Sequence, residues 1–178
     1  MTQRTIHDVT INCVQGDIAN QPDMDAIVNA ANAELRIGGG VAGAIHRAAG
    51  PRLEAECRPL APIGAGDAVI TGAHDLPNSN VIHCLGPVYG RDEPSDDLLA
   101  SCYRNALRLA EQNSIRSIAF PAISAGAFGY PMESAARVAL QTILGALPKL
   151  SSVRLIRFVL FDATSLQMHE RMLRELAE

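Results

Sequence analysis

Aromatic side chains are scarce in this sequence, with four Phe and three Tyr among 178 residues. An aromatic placed in a loop is therefore informative. No C-x-x-C pair occurs: Cys13, Cys57, Cys84 and Cys102 are scattered, so neither a disulfide scaffold nor a zinc knuckle is signalled, and each reads as a buried thiol. No block of like charge occurs either. Lys plus Arg number 15 against 19 Asp plus Glu, a formal charge of −4. Nucleic acid held through a basic face is thereby disfavoured, because counterion release needs clustered Lys and Arg. An anionic small ligand would have to be held by backbone N–H groups. The opening MTQRTIHDV has no apolar stretch of signal-peptide length, and no window approaches the roughly 18 apolar residues of a membrane span. The expectation is a soluble, cytoplasmic protein with no membrane partner.

What is present is the profile of a folded globular chain, 48% hydrophobic and 19% charged, of a length suited to one domain over residues 1–178. Short β-branched runs alternate with segments of helical apolar spacing, the signature of an α/β domain. Strands are expected over Thr5–Val14, Ala26–Asn29, Ala68–Gly72, Val81–Leu85, Ser117–Ile123 and Val153–Phe161. A first long helix places Val41, Ala44, Ile45, Ala48 and Ala55 on one face. A second runs from Ser95 to about Asn113 with acidic residues in its first turn. A third begins at Pro131, and a last carries Leu166, His169, Met172, Leu173 and Leu176. The Pro- and Gly-punctuated stretches RPLAPIGAGD and GPVYGRDEP read as surface loops.

Ligands of open α/β sheets bind beyond the carboxyl ends of the strands, and the residues there carry the chemistry. After the first strand, Gln15-Gly16-Asp17-Ile18 reads either as a turn or as a recognition pair. In the second case an ionised Asp accepts from an exocyclic amine such as that of adenine and Ile packs on the ring. After the second strand, the consecutive glycines Gly38, Gly39 and Gly40 run straight into an amphipathic helix. Backbone N–H groups at such a helix start can face an anion with no Cβ in the way. After the fifth strand, Ser124-Ala125-Gly126-Ala127-Phe128 is a second small-residue loop entering a helix. Two such loops can converge on one diphosphate without a lysine.

Gly38, Gly40 and Gly43 satisfy G-x-G-x-x-G, but the context opposes a dinucleotide fold. NAANAELRI intervenes after the strand, and the residues about 20 positions on form the RPLAPIGAGD loop. A P-loop is excluded by the missing G-K-[ST]. Phe128, in a loop with no core face, reads as a ligand contact, whereas Phe161 is equally suited to stack on adenine or to pack. His46, one position off its helix's apolar stripe, and His83, in an apolar strand, read as packed histidines, since no carboxylate is spaced to orient either. Tyr130 is as well placed to cap its loop as to touch ligand.

The pieces QGDI, VNAAN, GGGVAGAIHRAAG, PAISAGAFGYP and FDATSLQMHERML, spanning Gly16 to Leu173 in this order, resemble the macrodomain family. The resemblance implies a three-layer α/β/α sandwich with a mixed sheet of about six strands, and ADP-ribose as ligand. Asp17 would hold the adenine amine, Ile18 would line the adenine pocket, and Phe161 would lie against the ring. Gly38, Gly39, Gly40 and Val41, with Ser124, Ala125, Gly126, Ala127 and Phe128, would enclose the diphosphate. Asn32 would hydrogen-bond the distal ribose with Phe128 beside it. Asn29, in the same VNAAN run, and Ala42 complete the expected ligand contacts.

One departure matters for chemistry. The MacroD-type hydrolase branch usually reads GGGGVDG, whereas this chain reads IGGGVAG, with Ala42 in place of the acid and Ile37 in place of the first glycine. In this respect it is similar to viral and archaeal macrodomains that lack the acid yet remove ADP-ribose from acidic side chains. The resemblance therefore implies a metal-free, cofactor-free hydrolase. Its partners would be mono-ADP-ribosylated proteins, and it would cleave the ester to Asp or Glu, and that of O-acetyl-ADP-ribose, with Asn32 as the catalytic residue. The alternative is a reader that binds ADP-ribose without turnover.

Overall fold

The computed structural model describes residues 2–178. The chain opens with a hairpin: β1 (Thr2–Ile6) pairs antiparallel with β2 (Val9–Gln15), Ile6 opposite Val9. His7 and Asp8 make the two-residue turn, both left-handed with φ of 50° and 64°. The expected single strand Thr5–Val14 is thus corrected to two.

The remaining elements are β3 (Ala26–Ala30), α1 (Gly40–Ala49), α2 (Pro51–Cys57), β4 (Ala68–Gly72), β5 (Asn80–Cys84), α3 (Ser95–Gln112), β6 (Ser117–Phe120), α4 (Met132–Ala146), β7 (Leu155–Leu160) and α5 (Ala163–Leu176). They form one mixed sheet of seven strands in the order β1-β2-β7-β6-β3-β5-β4, one more than expected because of the hairpin. Strands β2, β7, β6, β3 and β5 are mutually parallel, and the edge strands β1 and β4 run antiparallel to their neighbours.

Period-two alternation sends each strand's side chains to two separate cores. From β7, Ile156, Phe158 and Leu160 join one core beneath α3, α4 and α5, while Val159 joins the other beneath α1 and α2. The result is an α/β/α sandwich. All four cysteines are buried and free. Burial pushes the Cys57 thiol up to about 11, with Glu56 and Glu54 adding to the effect, and it raises Cys13 as well, so neither of these two is poised as a thiolate.

The expected first helix is broken. Gly50, with φ of +84°, ends α1, and Pro51 starts α2, a position where proline's missing N–H has no cost. The buried face is consequently Ala42, Ile45, His46, Ala49, Leu53 and Cys57, and Ala48 and Ala55 are exposed. His46 is on the buried stripe, not beside it. No helix among the described residues is long and apolar enough to cross a membrane.

Candidate functional site

The parallel strands deliver their C-terminal ends to one edge of the sheet, and the loops leaving β3 and β6 face each other there. The first loop is held by Asn32. Its Oδ1 accepts from the Arg36 N–H at 2.9 Å and its Nδ2 donates to the Arg36 carbonyl at 2.8 Å. This pair turns the chain through a left-handed, buried Leu35 with φ of 55° and delivers Gly38, Gly39 and Gly40 above the sheet. Gly43 is required by close approach, since a Cβ there would overlap the Gly38 carbonyl oxygen. The first helical bond of α1 is Gly43 N–H to Gly39 O at 3.3 Å, and no side chain caps the helix. The preceding N–H groups of Gly40, Val41 and Ala42 are therefore available to an anion, where the helix dipole also favours one.

The second loop is locked from behind. Ser124 is left-handed at φ of 65° and its hydroxyl donates to the Pro87 carbonyl at 2.8 Å. Gly86 passes so close that a Cβ would overlap Ser124 Oγ. Tyr130 returns a 3.0 Å N–H bond to Ser124 O, is buried, and donates its hydroxyl to Asp96 in the first turn of α3. Its role is thus to cap the loop from beneath.

Between the loops lies a cleft of about 420 Å³, within the usual range for small-molecule sites. Asn32, Gly38, Gly39, Gly40, Val41, Ala42, Ser124, Gly126, Ala127 and Phe128 line it, together with Ala30, Ala31, Gly86, Ala122 and Ile123. None of these side chains is charged. Ala125 is half-buried against the core and does not line the cleft. Gly86 went unread because its loop carried only turn punctuation; its place after an apolar strand was the available signal.

Asp17, Ile18 and Phe161 gather farther along the same edge. They follow the neighbouring strands β2 and β7, joined by Gly16 N–H to Leu160 O at 3.0 Å. Asp17 is exposed, and its Oδ1 accepts from the Ala19 N–H at 2.9 Å, which leaves Oδ2 without a partner among the described residues. Ile18 is buried, and Phe161 is 91% exposed. The segment is braced from below: Gln21 Nε2 donates to Asp17 O at 2.9 Å, and Arg157 donates to Gln21 Oε1 at 3.0 Å. Arg157 also grips Asp23 with two bonds of 2.9 and 2.8 Å, and that hydrogen bonding holds the Asp23 carboxyl below its usual range.

Asn29 is not brought to the cleft, which corrects the expectation of ligand contact there. Alternation turns its side chain under α1, where it is fully buried and its Nδ2 lies 3.1 Å from His83 Nδ1. His83 Nε2 meets the Thr71 hydroxyl at 2.9 Å, and that hydroxyl donates to Gly72 O. The pattern requires an acceptor at Nδ1 and a proton at Nε2, a neutral imidazole. Burial, assisted by the charge of His46, pushes His83 down to about 3. His46 is likewise lowered by burial. Both histidines are packed beneath the site and neither lines it. Among the described residues no group of three or more His, Cys, Asp and Glu is placed to hold a metal ion.

A family model described as Macro domain matches residues 28–139. A macro domain-containing protein of Streptomyces coelicolor is 52% identical over 159 residues, covering 86% of this chain and 92% of that protein. An O-acetyl-ADP-ribose deacetylase of Klebsiella pneumoniae is 47% identical over 165 residues, covering 90% and 94%. Among solved structures, an Oceanobacillus iheyensis macrodomain with ADP superposes with a TM-score of 0.95 at 38% identity, covering 99% of this chain and 96% of that one. A Trypanosoma brucei macrodomain in complex with ADP-ribose gives 0.85 at 38% identity, covering 90% and 68%. With the two facing glycine loops in place on this fold, the chain belongs to the macro domain family.

Proposed function

We propose that this protein binds ADP-ribose along the sheet edge and hydrolyses esters at its distal ribose. Those esters are the ones that join ADP-ribose to Asp or Glu side chains of proteins, and that of O-acetyl-ADP-ribose. The observation that carries the reading is the cleft itself: two glycine-rich loops and an uncapped helix start surround a space with no charged side chain. Such a wall suits a diphosphate held by backbone N–H groups. Asp17 Oδ2 is free for an adenine amine and Phe161 for its face. The relative named O-acetyl-ADP-ribose deacetylase and the neighbours with ADP and ADP-ribose support the same choice.

Asn32 has its amide fixed by Arg36, and this leaves the second Nδ2 hydrogen for a ribose hydroxyl. Water adds to the ester carbonyl, the carbonyl carbon–ribose oxygen bond breaks, and the ribose oxygen takes a proton as the carboxylic acid departs. Loop N–H groups stabilise the negative charge that develops, and positioning supplies much of the rate. The proton from water goes to the substrate's own phosphate, which passes it on to the departing ribose oxygen, since Ala42, only 4% exposed at the start of α1, provides no base. A dedicated base is worth about 10²- to 10⁴-fold, so turnover is slow.

Ala42 also favours a second reading, an ADP-ribose reader. Stoichiometric protein incubated with an acceptor mono-ADP-ribosylated on Asp or Glu separates the two. Release of ADP-ribose above the spontaneous rate, lowered in Asn32→Ala by a larger factor than its affinity, is the expected result. Tight ADP-ribose binding with no release leaves the reader.

A further inference from the structure

The large apolar side chains most exposed to solvent are Ile37, Leu60, Tyr89 and Phe161. Phe161 serves the Asp17 end and Ile37 adjoins Gly38, but Tyr89 has no part in the site described so far. It lies in the loop Gly86–Pro94 that leaves β5. In the sheet order, β5 is on the far side of β3 and β6 from β2 and β7. A ligand lying along this edge with one end at Asp17 therefore directs its other end toward the Tyr89 loop.

That loop is rigidly presented. Tyr89 N–H donates to Phe128 O at 2.9 Å, and Ser124 Oγ donates to Pro87 O at 2.8 Å. Asp92 Oδ2 accepts from Val88 N–H at 2.8 Å, and Ser95 Oγ donates to Asp92 O at 2.7 Å. The Tyr89 ring rests on that of Tyr130, centroids 4.8 Å apart and tilted 52°. Tyr130 is anchored in turn to Asp96. One face of Tyr89 is thus supported while the residue remains 49% exposed, and its hydroxyl has no partner among the described residues. Closing a strand-to-helix connection needs no such side chain. A pre-ordered, half-exposed aromatic with a free polar tip is the usual form of a binding anchor. Arg91, two residues on, is ion-paired with Asp92 at 3.6 Å while its side chain stays 74% exposed. Tyr89 does not line the cleft; it stands behind Phe128, which does. A ligand confined to the cleft does not reach it.

We propose that Tyr89, with Arg91, is a specificity-determining contact for the polypeptide acceptor that carries ADP-ribose. The chain flanking the modified residue lies across the phenol ring, a peptide carbonyl accepts from its hydroxyl, and neighbouring acidic side chains face Arg91. This rests on ADP-ribose occupying the cleft as given above. Free ADP-ribose and O-acetyl-ADP-ribose end before this surface.

The test is calorimetric titration of the full chain with free ADP-ribose and with an acidic peptide bearing ADP-ribose through a non-hydrolysable linkage. The wild type is expected to bind the peptide about 5- to 10-fold more tightly than free ADP-ribose. Tyr89→Ala removes that gain while leaving free ADP-ribose within about twofold, and Tyr89→Phe, which keeps the stacked ring, retains most of it. Arg91→Glu reduces the gain chiefly at low salt. Equal wild-type affinity for peptide and free ADP-ribose would overturn the acceptor contact and leave the cleft reading standing. So would an equal loss for both ligands in Tyr89→Ala with a lowered thermal midpoint, because Tyr89 would then merely support Phe128. A wild type that binds neither ligand would overturn the cleft reading and this inference together.

Discussion

The two ends of the site are built on opposite plans. At β3, β6 and β5 the surface is main chain, and its parts interlock: α1 lies on the Gly38 carbonyl at Gly43, and Gly86 passes against Ser124. At β2 and β7 it is side chain, with a carboxylate oxygen and an exposed ring projecting from a braced segment. Backbone N–H groups grip any suitably shaped anion and carry no information about the base attached to it. A carboxylate beside a ring discriminates donors from acceptors. On the proposed reading affinity and identity belong to different strands, and substitutions can separate them.

The largest effect is expected from Gly43→Ala. The added Cβ overlaps a backbone oxygen of the loop that forms the cleft wall, so the loop must move. Alanine also gains about 1 kcal/mol of helix propensity, which offsets part of an overpacking cost of about 1–3 kcal/mol. Stability should change little while ADP-ribose affinity falls by about 100-fold or more. Gly145→Ala in α4, where an added Cβ meets nothing within 4 Å, is the control that stabilises without touching affinity. Unchanged binding in Gly43→Ala would show that the interlocked end does not hold the ligand. Asp17→Asn comes next. The amide oxygen keeps the turn bond to Ala19, but the free position becomes a donor and opposes an adenine amine. The expected loss is about 1–3 kcal/mol of ADP-ribose binding, with preference shifted toward inosine diphosphate ribose. Equal loss for both ligands would mean that Asp17 does not read the base.

The interlocked end was legible in the sequence because its physics is local: glycines that adjoin a strand and enter a helix announce main-chain contact. Depth was not legible. Asn29 and Asn32 belong to one VNAAN run, yet the last strand residues alternate sides, so Asn29 is turned under α1 while Asn32, past the strand end, is free to face the cleft. The hairpin was hidden because His7-Asp8 carries no glycine or asparagine to mark a left-handed turn. The break at Gly50-Pro51 was written in the residues, but an alanine-rich apolar period ran across it and set the wrong face. Gly86 joins the cleft, and Tyr89 comes to stand behind Phe128, only because β5 lies beside β3, a tertiary fact that no local pattern encodes.

Acid should undermine the interlocked end from below. His83 is pushed down to about 3 by burial, and His46 beside it is lowered by burial as well; on the opposite face of the sheet His169, packed on Phe158, is lowered in the same way. A group whose folded value is depressed takes up its proton first in the unfolded chain. Stability is therefore complete above the ordinary value of 6.5 and declines as pH falls toward 3. At pH 5.5, a unit below the ordinary value, His83 alone costs on the order of 1 kcal/mol. That corresponds to a thermal midpoint lower by about 2–4 °C than at neutral pH. A midpoint that holds steady or rises between pH 7.5 and 5.5 would contradict the neutral, acceptor role of His83 toward Asn29.

The smallest effect is expected at Phe161. At 91% exposure the ring contributes almost nothing to the core, and Asp162 beyond it starts α5 by accepting from the Ser165 N–H at 2.8 Å, a bond that truncating Phe161 leaves intact. Phe161→Ala should therefore leave the thermal midpoint within the roughly ±0.5 kcal/mol typical of surface changes. One face of an aromatic stack is worth about 0.5–1.5 kcal/mol beyond its buried area, so ADP-ribose affinity should fall several-fold and ribose 5-phosphate binding should not change. An equal loss for both ligands would place the ring's effect on the loops rather than on the base. No loss for either would leave Asp17 as the sole reader of adenine, and the side-chain end would then discriminate by hydrogen bonding without stacking.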